Sequence, residues 1–181
     1  MDRRQQKTRK VIFDALEELL EIKRFDNITV QEIIDTANIG RSTFYAHFET
    51  KDDLLKEMCT NMFYHIFTDV LPQEENQKFS AGSPNLEIKL GHLLYHLRES
   101  KSNLKGILNG ESGELFMGFL KYYLRDLFSR YRDDFSADIP EEFLLHHLSG
   151  SFAEAVKWWM KEDTKYRPEE VASFYMKMIG K

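Results

Sequence analysis

The side chains best suited to chemistry in this sequence lie in one short run after Gly40. Their hydroxyl, guanidinium and imidazole groups donate hydrogen bonds to phosphate oxygens or base edges of nucleic acid. The run contains Arg41, Ser42, Thr43, Tyr45 and His47. Phe44 and Phe48 are four residues apart, so on a helix they share one side and leave these donors largely on the other. The spacing predicts a short helix, from about 41 to 48, with an apolar inner face and a hydrogen-bonding outer face.

A second short helix must position this one, and it comes directly before it. Its apolar residues recur at helical spacing after Thr29, a good N-cap: Val30, Ile33, Ile34 and Ala37. Asn38 tolerates the left-handed conformation that ends a helix, so the turn is only about three residues long. Two helices joined by so tight a turn form a helix-turn-helix, whose second helix fits the major groove of DNA.

Longer helices flank this pair. From about Thr8 to Lys23, apolar residues repeat at helical spacing opposite a row of acids, which predicts an amphipathic packing helix. Thr50, with Asp53 three residues on, predicts the capped start of another helix that runs to about Leu71. Its apolar face is too broad for a surface helix. We therefore expect it to connect a DNA-reading end to the remainder of the chain.

Positive charge is concentrated at the N-terminus, although the chain as a whole has a net charge of −5. Its first ten residues contain only Asp2 against five bases: Arg3, Arg4, Lys7, Arg9 and Lys10. Beside a helix-turn-helix, such an arm is expected to reach along phosphates or into a minor groove. The alternative is a merely solvated charged tail.

The rest of the sequence predicts helices and no strand. Residues 72 to 85 are rich in Pro, Gly, Ser and Asn and predict a loop. Helices are then expected at roughly 86 to 100, 102 to 109, 112 to 132, 138 to 162 and 168 to 179. Pro140 and Pro168 are each followed by two glutamates, which favours the start of a helix.

Composition predicts a cytoplasmic globular protein. The 181 residues are 42% hydrophobic, and no stretch approaches the roughly 18 uninterrupted apolar residues that a membrane span requires. The polar, basic N-terminus lacks the apolar core of a signal peptide. A single cysteine, Cys59, cannot form an internal disulfide. We expect neither a membrane partner nor an oxidising compartment.

The sequence contains the elements of two other chemistries. His92 and His96 are four residues apart, a spacing that can bind a metal, and His65, His146 and His147 could complete such a site. Histidines at the edge of a core explain the same pattern, so no metal and no cofactor are predicted. The sequence contains no GxSxG and no HExxH motif, so it offers no support for an enzyme.

The run from Ile33 to Leu54 resembles the DNA-binding signature of the TetR/AcrR family of bacterial transcriptional regulators. Asn38 and Gly40 depart from it, because the family mostly has glycine and serine at these two positions. The resemblance implies an all-α fold in which an N-terminal three-helix DNA-binding domain with a helix-turn-helix (residues 1–50) is connected by a long helix to a C-terminal helical ligand-binding and dimerisation domain (51–181). It also implies DNA contacts from Thr29, Arg41, Ser42, Thr43, Tyr45, His47 and Lys51. Tyr45, His47 and Lys51 would hold phosphates, and Arg41, Ser42 and Thr43 would face base edges.

The resemblance further implies a homodimer on double-stranded operator DNA, formed by the last two helices, and a small apolar or aromatic effector. The aromatic content of the C-terminal part suits a mostly apolar pocket, whose expected lining is Phe63, Phe67, His96, Phe116, Phe119, Tyr123 and Phe152. The expected function is a repressor released from its operator by this effector. The alternative is an adaptor of the same fold that acts through a protein partner.

Overall fold

The computed structural model describes residues 3–68, 85–108, 110–161 and 165–181, with side chains except those of 65–68 and 101–103. The backbone of these residues is helical and contains no strand, which confirms the all-α prediction. The helices are α1 (Arg3–Ile22), α2 (Val30–Thr36), α3 (Arg41–Tyr45), α4 (Lys51–Thr68), α5 (Leu86–Glu99), α6 (Lys101–Leu108), α7 (Glu111–Ser129), α8 (Glu141–Lys161) and α9 (Pro168–Met178). Two short 3-10 turns lie at Phe25–Asn27 and Arg132–Asp134.

The chain divides into two compact units. Unit 1 comprises Met1–Asn61 and Ser102–Phe116, and unit 2 comprises Met62–Lys101 and Met117–Lys181. Both α4 and α7 begin in unit 1 and end in unit 2. The domain boundary predicted after residue 50 does not coincide with this division. The description as two domains, 1–50 and 51–181, stays a prediction.

Unit 1 is built on the apolar faces that the sequence indicated. Ile12, Leu16 and Leu20 of α1 are buried, as are Ile33 of α2 and Phe44 of α3. α1 packs against α2, and α2 packs against α3. The Phe48 ring closes the core, with its centroid 5.8 Å from that of Phe13 and 6.0 Å from that of Phe44. Short helices with little intrinsic stability are therefore held by a shared apolar core.

Local signals located the starts of α2 and α4 and the turn between α2 and α3. Thr29 and Glu32 form a reciprocal capping box at the start of α2, and Thr50 and Asp53 form the same arrangement ahead of α4. Asn38 adopts the expected positive φ of 49°. Gly40 precedes α3 as an N-cap without a side-chain hydrogen bond. α3 ends at Tyr45, three residues earlier than predicted.

The basic N-terminus is helical and does not form a separate arm, and its contact with phosphates stays a prediction. Residues from Arg3 onward form the first turns of α1, because Arg, Gln and Lys are good helix formers. Arg9 is fixed by an ion pair with Glu57 of α4, and its guanidinium lies 4.6 Å from the centroid of the Phe48 ring. Arg9 is therefore part of the packing of unit 1.

Unit 2 packs α9 against α5 and α8. The rings of Phe128, Phe152 and Tyr175 form an aromatic cluster, with centroids of Phe152 and Tyr175 4.8 Å apart. The Tyr175 hydroxyl donates to the Leu148 carbonyl over 2.8 Å, and burial raises the pKa of Tyr175 to about 12. Pro168 occupies the first turn of α9 as predicted. None of the described helices is long and apolar enough to cross a membrane.

The capping box of α2 generates a prediction on acid stability. The Lys23 ammonium, with the Thr29 backbone and hydroxyl, lowers the pKa of Glu32 from 4.5 to about 2. Because the folded pKa is the lower one, this carboxylate stabilises the fold above pH 4.5 and loses its effect as pH falls towards 2. Glu32→Gln should lower the free energy of unfolding at pH 6, and by less at pH 3, in urea denaturation.

Glu18→Gln is the matched control, because it removes the same charge from an exposed position on α1. A destabilisation by Glu32→Gln that was equal at pH 6 and pH 3, or equal to that of Glu18→Gln, would contradict the role of the carboxylate.

Candidate nucleic-acid interface

α3 presents its donors because Phe44 holds its opposite face in the core. The Phe44 side chain is fully buried. The backbone N–H groups of Thr43 and Phe44 donate to the Gly40 carbonyl over 2.9 and 3.2 Å, which starts the helix at the turn. On the outer face, Arg41, Ser42 and Tyr45 are exposed, and Thr43 and His47 are half-buried. The five predicted donors of this segment thus share one accessible surface.

Arg41 is partly preorganised on this surface. Its guanidinium carbon lies 5.7 Å from the centroid of the exposed Tyr45 ring. Within the part of the chain that the structure describes, Arg41 has no acidic partner. An arginine in this state can offer two parallel N–H groups to a guanine edge or a phosphate. The arrangement suits recognition of a nucleic acid by its grooves.

The predicted contacts at the ends of this surface have other partners within the protein. The Thr29 hydroxyl donates to the Glu32 carboxylate over 2.9 Å and accepts from the Glu32 backbone N–H over 3.2 Å. The hydroxyl is therefore engaged as the cap of α2, although it remains exposed. Its use in a DNA contact stays a prediction.

The Lys51 side chain makes more hydrogen bonds within the protein than the Thr29 side chain does. Its ammonium donates to the carbonyls of Phe25, Asp26 and Ile28 over 3.0, 3.1 and 2.8 Å. The nitrogen also lies 4.8 Å from the centroid of the Phe25 ring. An ammonium has three N–H donors, so a phosphate contact requires the loss of one of these bonds. The geometry favours a positioning role for Lys51. No spacing in the sequence indicated this role, because the partners of Lys51 lie more than twenty residues upstream.

The expected effector residues are distributed over several surroundings. The buried ring of Phe63 lies beside Tyr123, with centroids 5.3 Å apart. Phe152 belongs to the buried cluster with Phe128 and Tyr175. Phe116 is buried in unit 1, and Phe119 is half-buried in unit 2. The side chain of Phe67 lies outside the described residues. The structure therefore brings Phe63 and Tyr123 together but gives Phe152 a different set of neighbours.

His96 lies against His92, with their Nε2 atoms 3.0 Å apart. Its Nδ1 is 3.5 Å from the Glu99 carboxylate. His92 is buried, whereas His146 and His147 are exposed, and His147 stacks on Phe143. The side chain of His65 is not among those described. In the described part of the chain, no three His, Cys, Asp or Glu residues are grouped so as to hold a metal ion.

Comparison with known protein families gives two matches that together span most of the chain. Residues 12–58 match the model of bacterial regulatory proteins of the tetR family. Residues 85–181 match a model described as the C-terminal region of transcriptional regulators. The first match contains α2 and α3 and therefore the donor surface described above.

Individual relatives agree with these models. A crystal structure of a TetR transcriptional regulator from Streptococcus agalactiae 2603V is 34% identical, with a TM-score of 0.75 over 98% of this chain and 96% of that one. An HTH-type transcriptional regulator of Bacillus subtilis is 26% identical over 99% of this chain and 46% of its own length. The dhaKLM operon transcriptional activator DhaS of Lactococcus lactis is 34% identical over 34% of this chain and 33% of its own length. The chain thus spans less than half of these two curated relatives.

The contacts of Lys51 generate a prediction on stability. Lys51→Met removes three hydrogen bonds from a charged donor and leaves three carbonyls to be solvated again. The free energy of unfolding should fall by about 2 kcal/mol, measured by urea denaturation. Lys56→Met, an exposed position on the same helix, is the control and should change it little. Equal stabilities of the two variants would show that the carbonyl contacts contribute nothing.

Proposed function

We propose that this chain, which belongs to the TetR family of bacterial transcriptional regulators, binds an operator in duplex DNA as a homodimer and is controlled by a small-molecule effector. The observation that carries the proposal is the donor surface of α3, with Arg41 exposed above the buried Phe44. The matched families and relatives are regulators and not enzymes. Salt-dependent binding to a selected DNA sequence tests the proposal, because an adaptor without DNA binding lacks this dependence.

In the proposed complex α3 enters the major groove. Arg41, Ser42 and Thr43 read base edges from the first turn of the helix, as recognition helices do with their N-terminal residues. Tyr45 and His47 hold phosphates, with Thr29 at the start of α2. Lys51 supports this surface through the carbonyls that it binds, and the phosphate contact predicted for it would replace one of these hydrogen bonds.

The proposed dimer uses α8 and α9. Large apolar side chains of these helices remain exposed in the single chain: Phe143 at 66%, Trp158 at 46%, Phe174 at 41% and Met178 at 85%. Exposed apolar groups on neighbouring helices are typical of protein–protein interfaces. Val171, which belongs to the same apolar pattern of α9, is 3% exposed and packs inside its own chain. A dimer suits a helix-turn-helix because two half-sites multiply specificity.

Control by the effector is proposed as a population shift. A ligand bound among the aromatic residues of unit 2 changes operator affinity only if it binds two conformations of the protein with different affinity. Phe63 and Tyr123 are the proposed centre of that site. The simplest form is a repressor that the effector releases. Activation is the second candidate, favoured by the similarity to the Lactococcus lactis transcriptional activator. A reporter gene in cells with and without the protein distinguishes repression from activation.

Arg41 tests the proposed division of contacts. Arg41→Ala should reduce discrimination at one base position of each half-site by about 1–3 kcal/mol, because it removes a base-edge contact. Selection of bound sequences from a random DNA pool, followed by titration of the selected operator and its point variants, measures this. Arg98→Ala is a matched control, because Arg98 is exposed and stacks on Tyr95 in a similar way, with 5.4 Å between guanidinium and ring. An unchanged sequence preference in Arg41→Ala would remove Arg41 from the base contacts.

Phe174 tests the proposed dimer. Phe174→Glu should weaken dimerisation at least about tenfold, because an unpaired carboxylate would be buried at the interface, and operator affinity should fall with it. Analytical ultracentrifugation measures the dimer. Tyr122→Glu, an aromatic residue on α7 with 70% exposure, is the control outside α8 and α9. A monomeric wild type at micromolar concentration, or an equal effect of both substitutions, would contradict this interface.

A further inference from the structure

The Phe25–Asn27 turn, which joins α1 to α2, is held by two sets of hydrogen bonds within unit 1. In the first, the Lys51 ammonium donates to the carbonyls of Phe25, Asp26 and Ile28. In the second, the Asp26 carboxylate accepts hydrogen bonds from the backbone N–H groups of Glu111 and Ser112, over 3.2 and 3.4 Å. Asp26 therefore caps the N-terminus of α7, which lies 85 residues further along the chain. The first N–H groups of a helix have no partner within it, so a carboxylate at this place stabilises the helix.

The approach of α7 to this turn is so close that a side chain at Gly110 would displace the Asp26 carboxylate. A Cβ atom at Gly110 would lie 1.7 Å from Oδ2 of Asp26, and one at Gly106 would lie 2.8 Å from the Leu20 carbonyl oxygen. Gly110 thus lies directly on the Phe25–Asn27 turn, and α6 lies directly on the end of α1. No side chain separates Asp26 from the backbone that it caps.

The electrostatics agree with this contact. Desolvation by itself would raise the pKa of Asp26, but hydrogen bonds from Ser112, Arg24 and the Glu111 backbone outweigh it and lower the pKa. The Arg24 guanidinium lies 3.2 Å from Oδ2. Asp26 is therefore an anion at neutral pH, and its charge faces the positive end of the α7 dipole.

We propose that Asp26 is a positioning residue for DNA binding, which transmits the placement of the first turn of α7 to the helix-turn-helix. The chain leads from the capped turn through Ile28 directly to Thr29, the N-cap of α2, and α2 carries α3 through the packing of their apolar faces. A displacement of α7 at Glu111 must therefore either break the cap or move the turn and the start of α2 with it. The inference rests on the proposed DNA-binding function and adds a defined contact for its control.

The same contact extends the proposal to the effector control proposed above. α7 is continuous from Glu111 to Ser129, and it carries Phe119 and Tyr123 of the proposed effector site. An α-helix transmits an axial displacement along its length, because its backbone hydrogen bonds are continuous. The cap at Asp26 is where this helix meets the backbone that positions α2.

The test compares variants that break the cap from its two sides. Asp26→Ala removes the carboxylate, whereas Gly110→Ala leaves residue 26 unchanged and displaces the carboxylate with a methyl group. The displaced group has space, because a cavity of about 320 Å³ opens beside it, lined by Phe25, Lys51 and Leu115 among others. Neither residue belongs to the proposed DNA surface. Both variants should weaken binding to the selected operator by roughly 2- to 30-fold, the range that the loss of a helix cap covers.

The double variant and a conservative one make the test specific. Asp26→Ala combined with Gly110→Ala should bind as weakly as Asp26→Ala alone, because the methyl group then has no carboxylate to displace. Asp26→Asn, which keeps an acceptor oxygen but loses the charge, should bind between wild type and Asp26→Ala. Asp52→Ala is the matched control, because Asp52 is an exposed acid that lines the same cavity. It should bind as wild type does.

Hydrogen exchange of the DNA-free protein provides a second readout. In Asp26→Ala, amide exchange should become faster both at the start of α7 and in α2 and α3, while α8 remains as in wild type. Faster exchange at α7 alone, together with unchanged operator affinity, would show a local cap and overturn the proposal. A wild type that selects no DNA sequence would instead refute the proposed function, and the exchange in α2 and α3 would still decide whether the cap positions them.

Discussion

The burial of Phe44 is the interaction on which the donor surface of α3 depends. α3 contains only five residues, and a helix of that length has no stability of its own in water. Full burial of the Phe44 ring against the core of unit 1 supplies what the backbone lacks, and it fixes which way the helix faces. Arg41, Ser42 and Tyr45 are exposed as a consequence. Their orientation follows from an apolar contact on the other side of the helix.

Several basic side chains near this surface are engaged by partners within unit 1. Arg9 binds Glu57 and the face of Phe48, Lys23 binds Glu32, and Lys51 binds three carbonyls. Arg41 differs from them, because the described structure gives it an aromatic neighbour and no acidic one. A count of bases would treat all four alike. Arg9, Lys23 and Lys51 are held by partners within unit 1, whereas Arg41 remains available to a phosphate or a base.

Helical periodicity identified apolar faces in the C-terminal part of the chain, but it did not say what covers each face. Val171 and Phe174 lie on the same helix, yet the first is 3% exposed and the second 41%. The aromatic residues expected to line one pocket also separate, since Phe63 lies against Tyr123 and Phe152 against Phe128 and Tyr175. A side chain that fills the core and one that lines a pocket or an interface have the same spacing in a sequence, and only their surroundings distinguish them.

The sequence by itself determined the features whose causes are local. The capping boxes of Thr29 with Glu32 and of Thr50 with Asp53 each join residues three apart, and the turn at Asn38 depends on one residue that tolerates a positive φ. These features were predictable because their hydrogen bonds and backbone angles involve neighbours in the chain. Together with apolar spacing, they specify the helices and the donor surface of α3. The family resemblance of residues 33 to 54 rests on the same local run.

Only the tertiary structure decided the contacts between distant segments. The bond from Glu111 to Asp26 spans 85 residues, that from Lys51 to Phe25 spans 26, and that from Arg9 to Glu57 spans 48. Any exposed acid or base in the sequence is a candidate partner for such a bond, and no periodicity selects among them. The choice follows from how the apolar faces pack, because that packing brings particular backbone groups and charges within hydrogen-bonding distance. The role of Arg9 was decided in the same way, because it is held by partners that its own neighbourhood in the chain does not contain.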